Sequence, residues 1–233
     1  MEIFIRIRYI LFLLLGLFWS INSFGQIDRN EAIPEQDSSR EEGKLFVDFA
    51  DAFEFIIDGE DEYQKLLGEV SLRQDSVFLS CDSAIIKNEV HVTAMGNVII
   101  QQGDSLTIFA DSLLYNSDSL VANLYGDVVL LNGNQRLFTD SLQYNLGTKI
   151  AIYKGGATLT NDSTQLISNK GFYLVNEQKA YFKDKVNVID KEFSLKTDTL
   201  EFDVALDRVL FLAPTRITVE DGSKIYCEAG FYD

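Results

Sequence analysis

From Phe46 onward, apolar and polar residues alternate in runs of five to ten, interrupted by short polar turns such as Asn116-Ser-Asp-Ser119, Asn132-Gly-Asn134 and Leu146-Gly-Thr-Lys149. Period-two alternation marks half-buried strands, and no window after residue 68 carries the 3.6-residue period of a helix. The runs also echo one another. FADSLLYN at Phe109–Asn116 returns as FTDSLQYN at Phe138–Asn145. Aligned on that echo, an acidic or amide residue recurs at Asp51, Asp82, Asp111, Asp140, Asn169, Asp198 and Glu228, at spacings of 31, 29, 29, 29, 29 and 30. A small residue precedes each (Ala50, Cys81, Ala110, Thr139, Ser168, Thr197, Cys227), and an aromatic or isoleucine follows four places on (Phe55, Ile86, Tyr115, Tyr144, Tyr173, Phe202, Tyr232). Self-similarity at a fixed period of this length signals a repeat architecture.

A second column lies about 15 residues after the first, at Gly68-Glu-Val70, Gly96-Asn-Val98, Gly126-Asp-Val128 and Gly155-Gly-Ala157. The later units keep only the alternation, at Val186 and Val188 and then at Ile217 and Val219. Each unit of about 29 residues therefore reads as strand, turn, strand, turn. Parity adds a detail. Leu106, Ile108 and Ala110 share one face, Leu113 and Tyr115 share one, and the step from 110 to 113 is odd; the same slip falls between Thr139 and Leu142 and between Thr197 and Leu200. A one-residue slip turns every later side chain to the other face unless the backbone bulges or bends. The pattern predicts a β-bulge or corner at each Asp-Ser or Asp-Thr, with Asp82, Asp111, Asp140 and Asp198 as structural corner residues bonding nearby backbone amides.

Two apolar columns result. One holds Val98, Ile100, Val128, Leu130, Leu159, Val186 and Val188; the other holds Leu113, Tyr115, Leu142, Tyr144, Leu200 and Phe202. Packed together they close a dry core; splayed apart they line a long apolar groove. The pattern alone leaves both open.

Composition narrows the chemistry. The formal charge of −16 argues against nucleic acid, whose phosphates require a basic face. His91 is the only histidine and lies on an alternating run, so neither a Ser-His-Asp nor a Cys-His pair can be assembled around a second one, and no His/Cys metal spacing is present. The acidic repeats lack the Gly-Gly-x-Gly-x-Asp spacing of calcium-binding nonapeptides. The expectation is no enzyme, no cofactor, no metal and no catalytic residue. Cys81 and Cys227 occupy the small slot of units five repeats apart; at ~4.8 Å per strand they stand ~24 Å apart, beyond the ~7 Å Cα separation that a disulfide tolerates. Two free, buried, inert thiols are expected.

Arg6 and Arg8, the apolar run Tyr9–Trp19 and the exit Ser23-Phe-Gly25 before Gln26 have the form of a secretory signal peptide at residues 1–25, with an uncleaved anchor as the alternative. Residues 26–43, with Glu31, Glu35, Asp37, Glu41 and Glu42, read as an acidic flexible lead. The repeat domain then spans 44–233 and is interrupted in its seventh unit.

The form Leu-x-x-x-Ala-Asp-Ser-Leu-x-Tyr-Asn followed by Gly-Asp/Asn-Val-x-Leu/Ile, carried by Leu106–Leu130 and Leu137–Leu159 with weaker copies from Phe46 to Asp233, resembles the OstA-like family. That family includes the LptA-type periplasmic lipopolysaccharide-transport proteins and the N-terminal domain of the outer-membrane lipopolysaccharide assembly protein. The chain looks most like the N-terminal part of the longer OstA-like proteins of Bacteroidetes-type bacteria. The resemblance implies an all-β, antiparallel jelly-roll or V-shaped sheet, open at its C-terminal edge, whose apolar interior carries lipid A acyl chains. It implies a periplasmic place, possible outer-membrane association, and partners met through edge strands: other jelly-roll transport proteins, further copies of itself, or the outer-membrane assembly protein. The alternative is a secreted β-repeat scaffold or adhesin-like stalk with a closed core. The acidic surface would repel phosphorylated headgroups, leaving binding to the acyl chains, with the heads in solvent or bridged by cations.

Overall fold

A computed structural model describes residues 43–161, 163–206 and 208–232. The expected leader at 1–25, and the acidic lead except Gly43, lie outside the described residues. The described chain is one antiparallel sheet of 18 strands without a helix.

The strands are β1 (Leu45–Phe49), β2 (Ala52–Asp58), β3 (Asp61–Gln74), β4 (Val77–Lys87), β5 (His91–Gln102), β6 (Leu106–Asn116), β7 (Val121–Asn132), β8 (Gln135–Asn145), β9 (Ile150–Tyr153), β10 (Ala157–Thr160), β11 (Gln165–Ser168), β12 (Lys170–Leu174), β13 (Lys179–Ile189), β14 (Phe193–Asp203), β15 (Arg208–Phe211), β16 (Thr215–Val219), β17 (Lys224–Cys227) and β18 (Gly230–Tyr232). The pairings reduce this list to a simple meander. β1 and β2 are two halves of one arm and both pair β3; β9 and β10 both pair β8; β11 and β12 both pair β13; β15 and β16 both pair β14. Every arm crosses a corner at its middle. One half of each arm belongs to a first layer, the other half to a second, and the inner faces of both layers share one hydrophobic cluster.

The corner is where parity slips, as the sequence predicts. In β6, Ala110 and Leu113 are both buried, and Asp111 and Ser112 between them turn away from the core. Register shows the mechanism. Between the pairs Met95↔Ser112 and Val98↔Ala110, Gly96 and Asn97 oppose the single Asp111. Gly68-Glu69 likewise oppose Asp82, Gly126-Asp127 oppose Asp140, and Asp184-Lys185 oppose Asp198. Two residues against one is a β-bulge, which bends the strand and increases its twist. Both inserted residues are left-handed: φ is 78° and 46° at Gly96 and Asn97, and 66° and 59° at Asp184 and Lys185.

The two sequence columns thus meet at one corner. The glycine of one arm lies under the aspartate of the preceding arm: a methyl group at Gly126 would come within 2.8 Å of the Asp111 Cβ, and Gly96 faces Asp82 in the same way. The expectation that the aspartates bond backbone amides is corrected. Asp82 accepts two bonds from the Asn97 side chain, at 2.9 and 3.1 Å, and Asp198 accepts one from the Thr199 hydroxyl at 3.1 Å. The backbone is tied instead by the small residue before the aspartate. Cys81, Ser168 and Thr197 can each donate to the carbonyl two residues on, at 3.3, 3.2 and 3.5 Å, while the Thr139 hydroxyl lies 3.2 Å from the Ser141 carbonyl and donates to the nearer Gly156 carbonyl at 2.7 Å. Among the described residues no backbone amide bonds these carboxylates, and an inward hydroxyl or thiol ties the turn only where the corner carries one, not at Ala110-Asp111.

Both cysteines are free, and Cys81 is buried; Cys227 is only half-buried, because it lies on β17 at the sheet edge, where no further strand covers it. Burial pushes the Cys81 thiol up to about 11, so it stays protonated at neutral pH.

Two substitutions test the corner. Gly126→Ala should cost at least ~1–3 kcal/mol in urea unfolding, because a left-handed site gains a Cβ that meets Asp111. Asp184→Gly should stabilise by about 1 kcal/mol, since it gives the glycine-free corner the residue that adopts φ 66° without a steric penalty. A neutral outcome at both positions would refute this account of the bend.

Candidate functional site

The candidate site is the interior between the layers. The thirteen columnar residues all face it, and eleven are buried; Leu159 and Phe202 are half-buried. Their surroundings differ along the meander. From β3 to about β9 the interior is filled. Voids of about 10 and 20 Å³ lie there, one bounded by Ile100, Tyr115 and Leu72, the other by Leu130, Tyr173 and Phe182. Each holds a single water at most. Val98, Ile100, Leu113, Tyr115, Val128, Leu130, Leu142 and Tyr144 therefore pack as core.

The filled part is also latched. At the far rim of the second layer the Tyr115 hydroxyl donates to Gln74 Oε1 on the far rim of the first layer, and the Tyr144 hydroxyl donates to Gln102 Oε1 at 2.6 Å. The amide nitrogens complete the closure: Gln74 Nε2 donates to the Ser117 carbonyl at 3.1 Å, and Gln102 Nε2 to the Leu146 carbonyl at 2.9 Å. A third rung has the direction reversed, with Asn132 Nδ2 donating to the Tyr173 hydroxyl at 2.6 Å. The partners stand 41, 42 and 41 residues apart, so the latch follows the repeat. Asn116 and Asn145, the last residues of the echoed octapeptide, then cap the rim turns by accepting from the Ser119 and Thr148 amides at 2.8 Å. Desolvation raises the phenols of Tyr115, Tyr144 and Tyr173 above their ordinary value of 10.0, so they remain neutral.

The next member of the tyrosine column is Phe202, which has no hydroxyl to bridge the layers. There the interior opens. A cavity of about 490 Å³ lies between β10, β11, β13, β14 and β16, walled by Leu159, Leu166, Val188, Leu195, Leu200 and Phe202 among others, with Thr164, Asp190 and Glu192 toward solvent. This volume falls within the ~300–1,000 Å³ usual for small-ligand sites. Of the columnar residues, Leu159, Val188, Leu200 and Phe202 line it; Val186 packs beside it, buried. Leu166, Leu195 and Phe211 were not singled out from the sequence, although they hold the same alternating positions on later arms, and Ile217, read there only as part of the alternation, joins them. Gln135 also borders the cavity. A shallower recess of about 520 Å³ sits where β8 parts from β9 and β10 at the corner, between Asp140, Gly156 and Asn169.

Charge is uneven along the same axis. Twelve of the 20 Lys and Arg residues follow Gln135, against 14 of the 36 Asp and Glu. The arms around the cavity are thus close to neutral, while the latched arms carry most of the negative charge. Repulsion of anionic heads by the acidic surface, expected for the whole chain, falls mainly on the closed half. His91 begins β5 and faces the Asn116 side chain at 3.2 Å. Among the described residues no group of three or more His, Cys, Asp or Glu side chains is arranged to hold a metal.

Comparisons with known proteins follow this geometry. A family model described as OstA-like protein matches residues 42–198. Among 12 matching chains of solved structures is LptH, the LptA homologous periplasmic component of the conserved lipopolysaccharide transport device from Pseudomonas aeruginosa. It is 16% identical, with 55% of this chain and 94% of that chain covered and a TM-score of 0.42. Among curated proteins none matches.

The latch has measurable consequences. Tyr144→Phe leaves the buried Gln102 Oε1 without its donor and should cost about 1–3 kcal/mol in urea unfolding, against little change for Tyr125→Phe on the exposed outer face. The raised phenol values fix the sign of the pH dependence. Above pH 10 the unfolded chain loses protons that the folded chain keeps, so stability should hold from pH 7 to about 9.5 and fall as pH rises further. A melting temperature that rises above pH 10 would contradict the buried, neutral tyrosines.

Proposed function

The chain belongs to the family of OstA-like proteins, and on that premise we propose that it is a periplasmic, non-enzymatic module that binds lipopolysaccharide by its acyl chains and passes it toward the outer membrane. The observation that carries this reading is the apolar cavity of about 490 Å³ at the unlatched end of an otherwise filled interior. Exposing an acyl chain to water costs about 0.8 kcal/mol per CH₂, so a chain of about a dozen carbons carries ~10 kcal/mol that such a cavity offsets in transit. Leu159, Val188, Leu200 and Phe202 make the wall; the buried columns from Val98 to Tyr144 are the body that holds the wall in place. The nearly neutral charge of these arms tolerates an anionic head at the mouth.

In this reading residues 1–25 direct export, 26–43 tether, and 44–233 form the carrier. The lateral edges supply the partners. β2 is an edge strand with Phe53, Phe55 and Ile57 exposed, and the opposite edge presents Ile225 and Phe231. Unpaired edges with apolar side chains recruit further strands. A jelly-roll protein of the same pathway, or another copy of this chain, is the partner they fit.

Lipid extraction and mass spectrometry of the protein purified from a lipopolysaccharide-producing host should recover lipid A species. Val188→Trp, which fills the cavity, should lower the yield several-fold without lowering the melting temperature. Absence of lipid from the unsubstituted protein would sink the carrier reading and leave a closed β-repeat scaffold.

A further inference from the structure

The last rung of the latch, Asn132–Tyr173, stands between the filled interior and the cavity, and Gln135 sits directly beside it. Asn132 and Gln135 are register partners across the turn from β7 to β8. Gln135 is 8% exposed. It borders both the 20 Å³ void and the large cavity. Unlike Gln74 and Gln102, it has no hydrogen-bond partner among the described residues. Among those residues no fully sealed side-chain nitrogen or oxygen lacks a partner, so the Gln135 amide keeps access to the space it borders, the void and the cavity. With no bond to the protein, that amide is free to bond whatever fills the space.

We propose that Gln135 is the polar contact of the cavity, its Nε2 donating a hydrogen bond to the carbonyl oxygen of an acyl ester or amide while the alkyl chain runs away along Leu166, Val188 and Leu200. The inference rests on the acyl-carrier reading and adds a selection rule: the cavity prefers acyl to alkyl chains of equal length. The position of Gln135 fits the role. It follows the rim turn at Gly133-Asn134, where a head in solvent joins its chain, and the closed latch behind it leaves the chain only the direction toward β16. Three amides at strand ends, Gln74, Gln102 and Asn132, close the interior against tyrosines; Gln135, across the turn from the last of them, is left for a ligand.

Isothermal titration calorimetry of the exported protein with two probes tests this: lauroyl lysophosphatidic acid, which carries an ester carbonyl, and its dodecyl ether analogue, which lacks it. The unsubstituted protein should bind the ester about three- to tenfold more tightly, the range of one net hydrogen bond. Gln135→Leu should bind the two equally, keep its affinity for the ether, and melt at the same temperature or higher, because the amide makes no bond to the protein and is replaced by an apolar group of similar size. Equal affinities in the unsubstituted protein, or an undiminished preference in Gln135→Leu, overturn the assignment and leave the carrier reading standing. A lower melting temperature in both Gln135→Leu and Gln135→Met also overturns it, since the amide would then be held by the fold. Failure of both probes to bind the unsubstituted protein removes the carrier reading itself.

Discussion

A strand that must present apolar side chains to the same interior on both sides of a bend has to lose its parity at that bend. The whole sheet depends on how this constraint is met. A bulge of two left-handed residues in one arm, set against a single aspartate in the next, removes one residue from the count and turns the chain at once. Glycine is needed because an aspartate side chain rests on its Cα, and the aspartate faces outward because the bend leaves its side of the strand convex. Where glycine is missing, at Asp184-Lys185, the register is the same and the strain is greater. The repeat period follows from this: two arms and two turns bring the chain back to the same corner.

Once the arms bend alike, the layers face each other, and the question becomes what holds them together. Apolar burial does most of it between β3 and β9, and the phenol–amide rungs determine how closely the rims approach. The Tyr115 and Tyr144 rungs are buried and the Tyr173 rung partly so, which makes each costly to leave half-made, and that asymmetry makes them a latch rather than an ornament on the core. The rungs end where the column changes from Tyr173 to Phe202, and the free volume between the walls rises from about 20 to about 490 Å³. One interior thus has a packed segment and, beyond Tyr173, a segment that leaves space between its apolar walls.

The corner was legible because it leaves a trace in spacing: the odd step from Ala110 to Leu113 has no other reading in a strand. The bonding at the corner was not, since carboxylate-to-amide and hydroxyl-to-carbonyl ties call for the same polar residues in the same order. Tyr115, Tyr144 and Phe202 all read as interior aromatics, and the alternation pattern is blind to a hydroxyl whose partner is 41 residues away. Gln74 and Gln102 were hidden by their places next to turns, where polar residues are ordinary. The cavity is set by the distance between layers, and two apolar faces look the same in sequence whether they touch or stand apart. Cys227 was misjudged as buried because its column is interior, whereas its strand is at the edge.

The meander has one more property. Apart from the rungs, each arm pairs only with the arms before and after it in sequence, so the fold is assembled from nearest-neighbour steps, like beads added to a rod. Such an array has low contact order for a β protein and can grow from one end as the chain emerges. Its cooperativity is correspondingly local. In such an array the cost of opening is set locally, so the arms beyond Tyr173, which lack a rung, depend less on the packed arms than those arms depend on one another.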